Sequence, residues 1–545
     1  MSQTSVEPVD DTAPEAPSDG GDGSTPSEVD ATERSGRDDG FWGWVGAIAL
    51  AAIALIMRRW RLGEPAEFSF DETYYAKDAW SLLNNGYIRT YVEGADTQIL
   101  SGHTLNQFAQ TPSMAVHPDV GKWLIALGEK AFGMDPYGWR IASAVVGALM
   151  VLVMCRFVRR VTGSTVLGLV GGALLAFDGL HFVLSRLALL DLFLAFFVLC
   201  GVHCAVADRQ WIRAKYAAGA TRRLWRPWLF ASGLMFGLAV GTKWSGAYAL
   251  AAFGLMVFFW SWGARRAAEH KGAWWRALLI DGPTAFAHMV LVALVVYVIS
   301  WTGWLMHASE YEQALSNTQY ATYEGGQQWP TATEPDAEGI GEVTQSLRSL
   351  WHYHHDVYIF HTKFLNDATH PYASGPAKWP VLGRSVGVSA TNGIQPGVDG
   401  CDAPTGSNCL KQVVLLGNPA VWWLGSAAMV LSVIMWAASR DWRHGVAVVG
   451  MAATWLPWFM YDDRPVYLFY AIVSLPFLIL SLTLALGMLI GPESARTARR
   501  TAGLAVTGAV VVATIGLFVF FWPIYTNGLL THEEWMSRMW FRSWI

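Results

Sequence analysis

The chain is 545 residues long, 53% hydrophobic and 15% charged, with 29 Trp and a formal net charge of −5. So few charged side chains cannot solvate a soluble protein of this size, which excludes a string of ordinary soluble domains and places the chain in the membrane class. The negative charge is local: residues 1–40 hold eleven Asp and Glu against two Arg, and the remainder is net basic.

Taken from the N-terminus, residues 1–40 are also rich in Pro, Ser, Gly and Thr, a composition that predicts a disordered acidic tail. They lack the basic start, apolar stretch and cleavage site of a signal peptide, so the first apolar segment is expected to be retained. A hydrocarbon core of about 30 Å needs about 20 apolar residues per helix, and such runs recur as far as residue 523. Their hydrophobicity is continuous instead of alternating, which excludes barrel strands. About eleven transmembrane helices are expected, at 41–57, 138–157, 164–179, 187–206, 228–242, 245–262, 277–305, 419–439, 445–461, 466–490 and 503–523. The fold class is thus an all-α polytopic membrane protein whose embedded domain spans 41–523.

An odd number of spans puts the termini on opposite sides. With the N-terminus inside, the loops 156–163, 208–228, 263–276, 440–444 and 491–502 become cytoplasmic and carry 18 Lys and Arg. The short outer connections carry one apiece, Arg186, Lys243 and Arg464. That is the positive-inside asymmetry, and it makes the 1–40 tail cytoplasmic and 524–545 an extracytoplasmic tail. Two outer segments, 58–137 and 306–418, are too long to be mere connectors, so function is expected there. The first holds two amphipathic stretches, 71–83 and 120–132, expected to lie in the membrane interface. The second holds Cys401 and Cys409 in a polar loop, at a spacing that suits a small local disulfide if the loop faces an oxidising compartment. Cys155, Cys200 and Cys204 lie in or beside apolar spans and are expected to pack there.

Charged groups at membrane depth are costly, so a set kept at one face carries information. Asp71 and Glu72 sit in FSFDETYYAKDAW and Arg140 opens the second span. Asp178, His181 and Arg186 occur in FDGLHFVLSRLALLD, Lys243 in GTKWSG, and Asp462, Asp463 and Arg464 in YDDRP. A helical bundle can bring these outer connections to one surface. There Arg140, Arg186, Lys243 and Arg464 can neutralise a phosphate while Asp71 or Glu72 acts as general base on an incoming hydroxyl. The chain has no glycine-rich phosphate loop, so the set suits a donor activated by a lipid phosphate better than a soluble nucleotide. Taken singly, each charge has a plainer explanation as a snorkelling side chain, a local ion pair or a helix-start carboxylate. Only the joint, one-sided arrangement points to a site. His352, His355 and His361 in WHYHHDVYIFH match no strong ligand pattern, so a divalent metal ion is left open and no cofactor is required.

The segments FSFDETYYAKDAWSLLNNGY, HPDVGKWLIALGEKAFGMDPYGWRIASAVVGALM, GLAVGTKWSG, HPYASGPAKWP and FYAIVSLPF span roughly residues 58–490. Together they resemble the protein O-mannosyltransferases of the glycosyltransferase-C superfamily, in their bacterial, actinobacterial form. The resemblance implies transfer of mannose from polyprenyl-phosphate mannose to Ser or Thr hydroxyls of translocating proteins, with inversion at the sugar carbon. It implies that Asp71 is the base with Glu72 beside it, that Arg140 matches an essential family arginine, and that Lys243 and Trp244 match the KWSG segment. His117, Lys122, His370, Pro371, Tyr372 and Trp379 are the acceptor or loop candidates. Two departures stand out: His117-Pro118-Asp119 replaces a family HPP, and 306–418 is too short for the β-trefoil domain of eukaryotic members.

A bacterial plasma membrane is the expected location, with membrane lipid and the secretion translocon as neighbours and no nucleic acid. Two other functions fit the spans, a related enzyme acting on a lipid or cell-wall glycan, and a transporter or lipid flippase. The KWSG and HPY segments favour a protein acceptor, while an odd span count and one-faced charge count against paired transporter repeats.

Overall fold

The computed structural model describes residues 40–317, 328–461, 463–492 and 494–545. The acidic tail up to residue 39 and Asp462 lie outside the described residues. Among the described residues seven helices are long and apolar enough to cross a membrane: Gly40–Arg59, Pro136–Thr162, Leu190–Ala217, Gly246–Ala267, Ala273–Ile299, Pro419–Ser439 and Thr497–Tyr525. Four expected spans coincide with shorter helices instead, Thr165–Ala176, Pro227–Val240, Trp442–Trp455 and Leu475–Ile490. The polytopic helical class holds, and seven is the number that length and composition alone support.

The helices are held by small residues, because lipid gives no hydrophobic drive between apolar helices and close van der Waals approach must replace it. Leu190–Ala217 is the most enclosed of the seven and Gly40–Arg59 is among the least. Pro227–Val240 lies against both Leu190–Ala217 and the Ala273–Ile299 segment. A Cβ on Gly233 would fall 2.0 Å from the His288 carbonyl oxygen, so only glycine fits that crossing. Ala273–Ile299 is not a uniform α-helix, since Ala277–Asp281 and Phe286–Leu291 wind as π-helix around Pro283. Proline lacks the N–H and crowds the preceding turn, and the ladder relaxes by one residue.

The outer segment 58–137 folds around two helices, Glu72–Asn85 and Val120–Phe132. The second packs on the Pro136–Thr162 span through Gly128, whose Cβ would meet the Gly138 carbonyl oxygen at 2.4 Å. The all-α expectation needs one correction, because two small antiparallel sheets sit in the outer segments. One pairs β1 (Arg89–Tyr91) with β2 (Phe108–Pro112); the other has the order β3 (Val386–Ile394), β4 (Cys409–Leu415), β5 (Leu529–Thr531). The third strand comes from the C-terminal segment read as a tail, with Cys409 opposite Thr531 and Lys411 opposite Leu529. Buried strands need partners for their backbone groups, and a strand of three residues leaves no hydrophobic pattern to read. Because β5 shares a sheet with the 306–418 segment, the C-terminus and that segment lie on one side.

Cys401 and Cys409 are disulfide-bonded and buried, closing the turn that enters β4, while Cys155, Cys200 and Cys204 are free. Closing so short a loop stabilises by about 2–3 kcal/mol. Alkylation of the denatured, unreduced protein is therefore expected to modify three cysteines and leave a linked Cys401/Cys409 peptide in the mass spectrum. Five modified cysteines would place the loop in a reducing compartment.

Candidate active site

Asp71 and Glu72 are neighbours in sequence with opposite fates. Ser69-Phe70-Asp71 forms the turn into the Glu72–Asn85 helix, with Phe70 at φ +57°. Asp71 occupies the N-cap, yet its side chain makes no capping bond to the helix, so the carboxylate is turned outward where an N-cap Asp ordinarily turns inward. Glu72 turns back into the protein and is fully buried. Its Oε2 accepts the Ser69 N–H at 2.9 Å and its Oε1 accepts the Ala188 N–H at 2.9 Å. Arg140 completes the cage, with Nε 2.9 Å from Oε1 and Nη2 2.7 Å from Oε2. Its other N–H groups reach the carbonyls of Leu62, Pro65 and Glu67 and the Ser69 hydroxyl. All five guanidinium protons are thus engaged, and Arg140 and Glu72 both face the scaffold.

Two more of the sequence candidates are absorbed the same way. Arg186 donates to the carbonyls of Arg58, Trp60 and Arg61, closing the end of the Gly40–Arg59 helix, where a cation complements the dipole. Lys122 is buried between Asp78 and Asp119, at 3.3 and 3.5 Å, and donates to the His117 carbonyl at 3.0 Å. Asp119, the departure from HPP, is therefore a counter-ion to Lys122 at the start of Val120–Phe132, and burial pushes its carboxyl up to about 6.

Around Asp71 the structure gathers a second, open set of charges. Burial pushes the Asp71 carboxyl up to about 6, Lys243 opposes the rise, and Asp191 adds to it. Lys243 extends from the turn between Pro227–Val240 and Gly246–Ala267, and its Nζ lies 2.8 Å from Asp191 Oδ2. Asp191, on the first turn of Leu190–Ala217, was not singled out from the sequence. The signal was there, a carboxylate opening an apolar span at the end of SRLALLD, but nothing in sequence paired it with Lys243. Trp244 donates its indole N–H to the Tyr297 hydroxyl at 2.8 Å and stacks on His354 with ring centroids 5.4 Å apart. Arg464 Nη1 lies 3.3 Å from His361 Nδ1, and His361 stacks on His117 at 5.5 Å. Arg464 Nε is buried with no hydrogen-bond partner among the described residues. Burial, then Arg464 and Lys243, push His361 down to about 3, and burial with the same cations drives His117 well below its ordinary value. Two neutral imidazoles between two cations mark a region whose field favours an anion.

The HPY segment reaches the same cleft through aromatic rings. Phe70, next to Asp71, has His370 at 5.8 Å and Tyr467 at 5.6 Å, and His370 lies 5.1 Å from Tyr467. Tyr372 neighbours His370 at 5.7 Å and Pro371 is exposed. Trp379 is buried, donates to the Ser374 carbonyl at 2.9 Å and packs on Trp458, which puts it in the main core instead of on an acceptor surface. Among the described residues no three His, Cys, Asp or Glu side chains converge as a metal-holding set.

Removing one partner of a buried ion pair strands the other at a cost of about 3–5 kcal/mol. Arg140→Leu is thus expected to lower the melting temperature of the detergent-solubilised protein sharply, and Arg140→Lys to rescue little, since lysine cannot reproduce the five-donor fork. An unchanged melting curve for Arg140→Leu would contradict this assignment.

Residues 48–309 match the family described as dolichyl-phosphate-mannose-protein mannosyltransferase, and residues 346–544 match the C-terminal four-transmembrane region of protein O-mannosyltransferase. The chain is 36% identical over 521 residues to a polyprenol-phosphate-mannose–protein mannosyltransferase of Mycolicibacterium smegmatis, covering 92% of this chain and 93% of the relative. A protein of the same name from Mycobacterium tuberculosis is 33% identical over 525 residues, covering 93% and 92%. In fold, the chain is similar to the S. cerevisiae protein O-mannosyltransferase Pmt1-Pmt2 complex bound to the sugar donor, with a TM-score of 0.68 and 15% identity over 95% of this chain and 94% of that one. A carboxylate that leaves its helix uncapped with a lysine in its electrostatic reach, a polytopic helical frame, and relatives this close over nearly the whole length agree: the chain belongs to the protein O-mannosyltransferase family.

Proposed function

We propose that this protein transfers mannose from polyprenyl-phosphate mannose to Ser and Thr hydroxyls of proteins at the outer face of a bacterial plasma membrane, inverting the sugar carbon. The observation that carries the reading is the Asp71 carboxyl, raised to about 6 by burial, within the electrostatic reach of Lys243, which acts with Arg464 on His361. The acceptor hydroxyl oxygen attacks the mannose C1 as Asp71 takes its proton. The bond from C1 to the phosphate oxygen breaks, and the lipid phosphate leaves with the electron pair. Lys243 and the unpartnered Arg464 Nε are placed to take up that charge, which grows as the bond breaks and so lowers the barrier. Attack by the hydroxyl on the face of the sugar carbon away from the departing phosphate is a single displacement, hence inversion. Glu72 and Arg140 act as positioning residues that set the turn from which Asp71 projects.

The same reading takes all eleven apolar helices as crossing, with the N-terminus cytoplasmic and the C-terminus outside. The sharing of one sheet by the C-terminus and the second outer segment supports it, as does the positive-inside charge pattern. A translocon delivering unfolded Ser/Thr-rich chains at this face is the natural partner.

Asp71→Asn is expected to cut transfer to a Ser/Thr peptide by about 10²–10⁴-fold while leaving the melting temperature unchanged, measured with radiolabelled polyprenyl-phosphate mannose. Because the base works only when deprotonated, wild-type kcat/KM should fall tenfold per unit below about pH 6. Near-normal turnover of the Asn variant would remove Asp71 from the chemistry. Lys243→Met should raise the donor KM more than the peptide KM; the reverse ranking would move Lys243 to the acceptor side.

A further inference from the structure

The Lys243 ammonium has two carboxylates within its electrostatic reach, Asp71 and Asp191, and only Asp191 holds it directly, at 2.8 Å. The difference is one of rigidity. Asp191 stands on the first turn of a helix whose flanking residues Leu189, Leu190, Leu192 and Phe193 are fully buried. A Cβ added to Gly121 would strike Leu190 at 2.6 Å, so the outer Val120–Phe132 helix clamps that turn. The helix dipole favours a carboxylate at this end as well. Lys243, by contrast, is a four-carbon stem on a turn, with its ammonium also 5.2 Å from the Tyr470 ring centroid. A fixed anion thus holds a mobile cation.

We propose that Asp191 is a positioning residue for mannosyl transfer: its carboxylate keeps the Lys243 ammonium off Asp71 until the donor phosphate arrives to share it. The proposal rests on Asp71 being the base. A base paired to an ammonium is a weak base, because an opposite charge within about 4–6 Å lowers a carboxyl pKa by about 1–3 units. Asp191 prevents that pairing and adds its own negative charge near Asp71. The other groups facing Asp71 cannot substitute for it. Glu72 is spent on Arg140. Tyr75 on the same helix holds its proton, since burial drives its phenol upward. His117 and His361 are neutral, and Arg464 turns toward His361. Among the described residues, Lys243 is the cation that acts on Asp71, and Asp191 is the carboxylate that holds Lys243.

The test is the pH dependence of kcat/KM for peptide mannosylation by full-length protein in detergent or nanodiscs, with radiolabelled polyprenyl-phosphate mannose as donor. Asp191→Asn, melting as wild type does, is expected to move the acid limb from about pH 6 downward by about one unit or more, with kcat at neutral pH falling about tenfold. A limb that stays put or moves upward overturns the proposal whatever the rate does, because a merely structural aspartate would lower turnover without moving it. Asp191→Glu keeps the anion and serves if the Asn variant cannot be purified folded. A limb at the wild-type pH supports the proposal, and a displaced one overturns it. Failure of the underlying reading looks different: wild type would then show no acid limb and Asp71→Asn would keep its turnover.

Discussion

The bidentate contact between Glu72 and Arg140 is the constraint on which the active cleft depends. Both groups are fully buried, and a buried ion pair stabilises only when every remaining donor and acceptor is met. Here they are met by the backbone of the 62–69 turn and by the Ala188 N–H. One carboxylate therefore ties together the first outer segment, the start of the second span and the approach to the Leu190–Ala217 helix. Its neighbour Asp71 has no choice of direction. With Glu72 drawn inward, the side chain one position earlier faces the cleft.

The same logic divides the outer cations into two kinds. Arg140, Arg186 and Lys122 spend their protons on carbonyls and acids of the scaffold. Lys243 and Arg464 keep capacity in hand, one held by a single carboxylate and the other with a buried N–H that has no acceptor among the described residues. A site that binds an anion and then stabilises it as a leaving group needs cations of the second kind, on a scaffold whose turns are fixed by cations of the first. Scaffold charge at the protein–membrane boundary is costly. Its use here to orient a single turn is consistent with a reaction in which the base must meet the hydroxyl at hydrogen-bond distance.

The amino-acid pattern disclosed the polytopic helical frame, because apolar run length is a local property of a chain. It disclosed Asp71 and Lys243 as residues of interest through their motifs. It could not assign partners. Whether Arg140 meets a phosphate or a glutamate depends on a contact 68 positions away, and whether Lys243 is free depends on Asp191, 52 positions away. Both are tertiary facts. Trp379 in HPYASGPAKWP looked like a recognition residue, yet its ring is buried in the main core against Trp458 and Tyr470; an aromatic in a polar loop packs inward as readily as it faces a ligand. The C-terminal strand was missed because three residues carry no periodicity, and its pairing with β4 is set by the partner strand.

That strand has a consequence for the acceptor side of the cleft. Arg384 donates through Nε and Nη2 to the Pro371 carbonyl, and through Nη1 to the carbonyls of Ser543 and Ile545. Ser385 reaches the Trp544 carbonyl, and the Trp544 indole reaches the Leu382 carbonyl. The HPY turn, whose His370 meets Phe70 beside the base, is thus pinned through one guanidinium to the last residues of the chain. Members with a β-trefoil in this segment have a whole domain with which to brace the acceptor side. Here three strands, one disulfide and a C-terminal tryptophan do so. The HPY turn that meets Phe70 is accordingly braced by hydrogen bonds from Arg384 to residues 543 and 545.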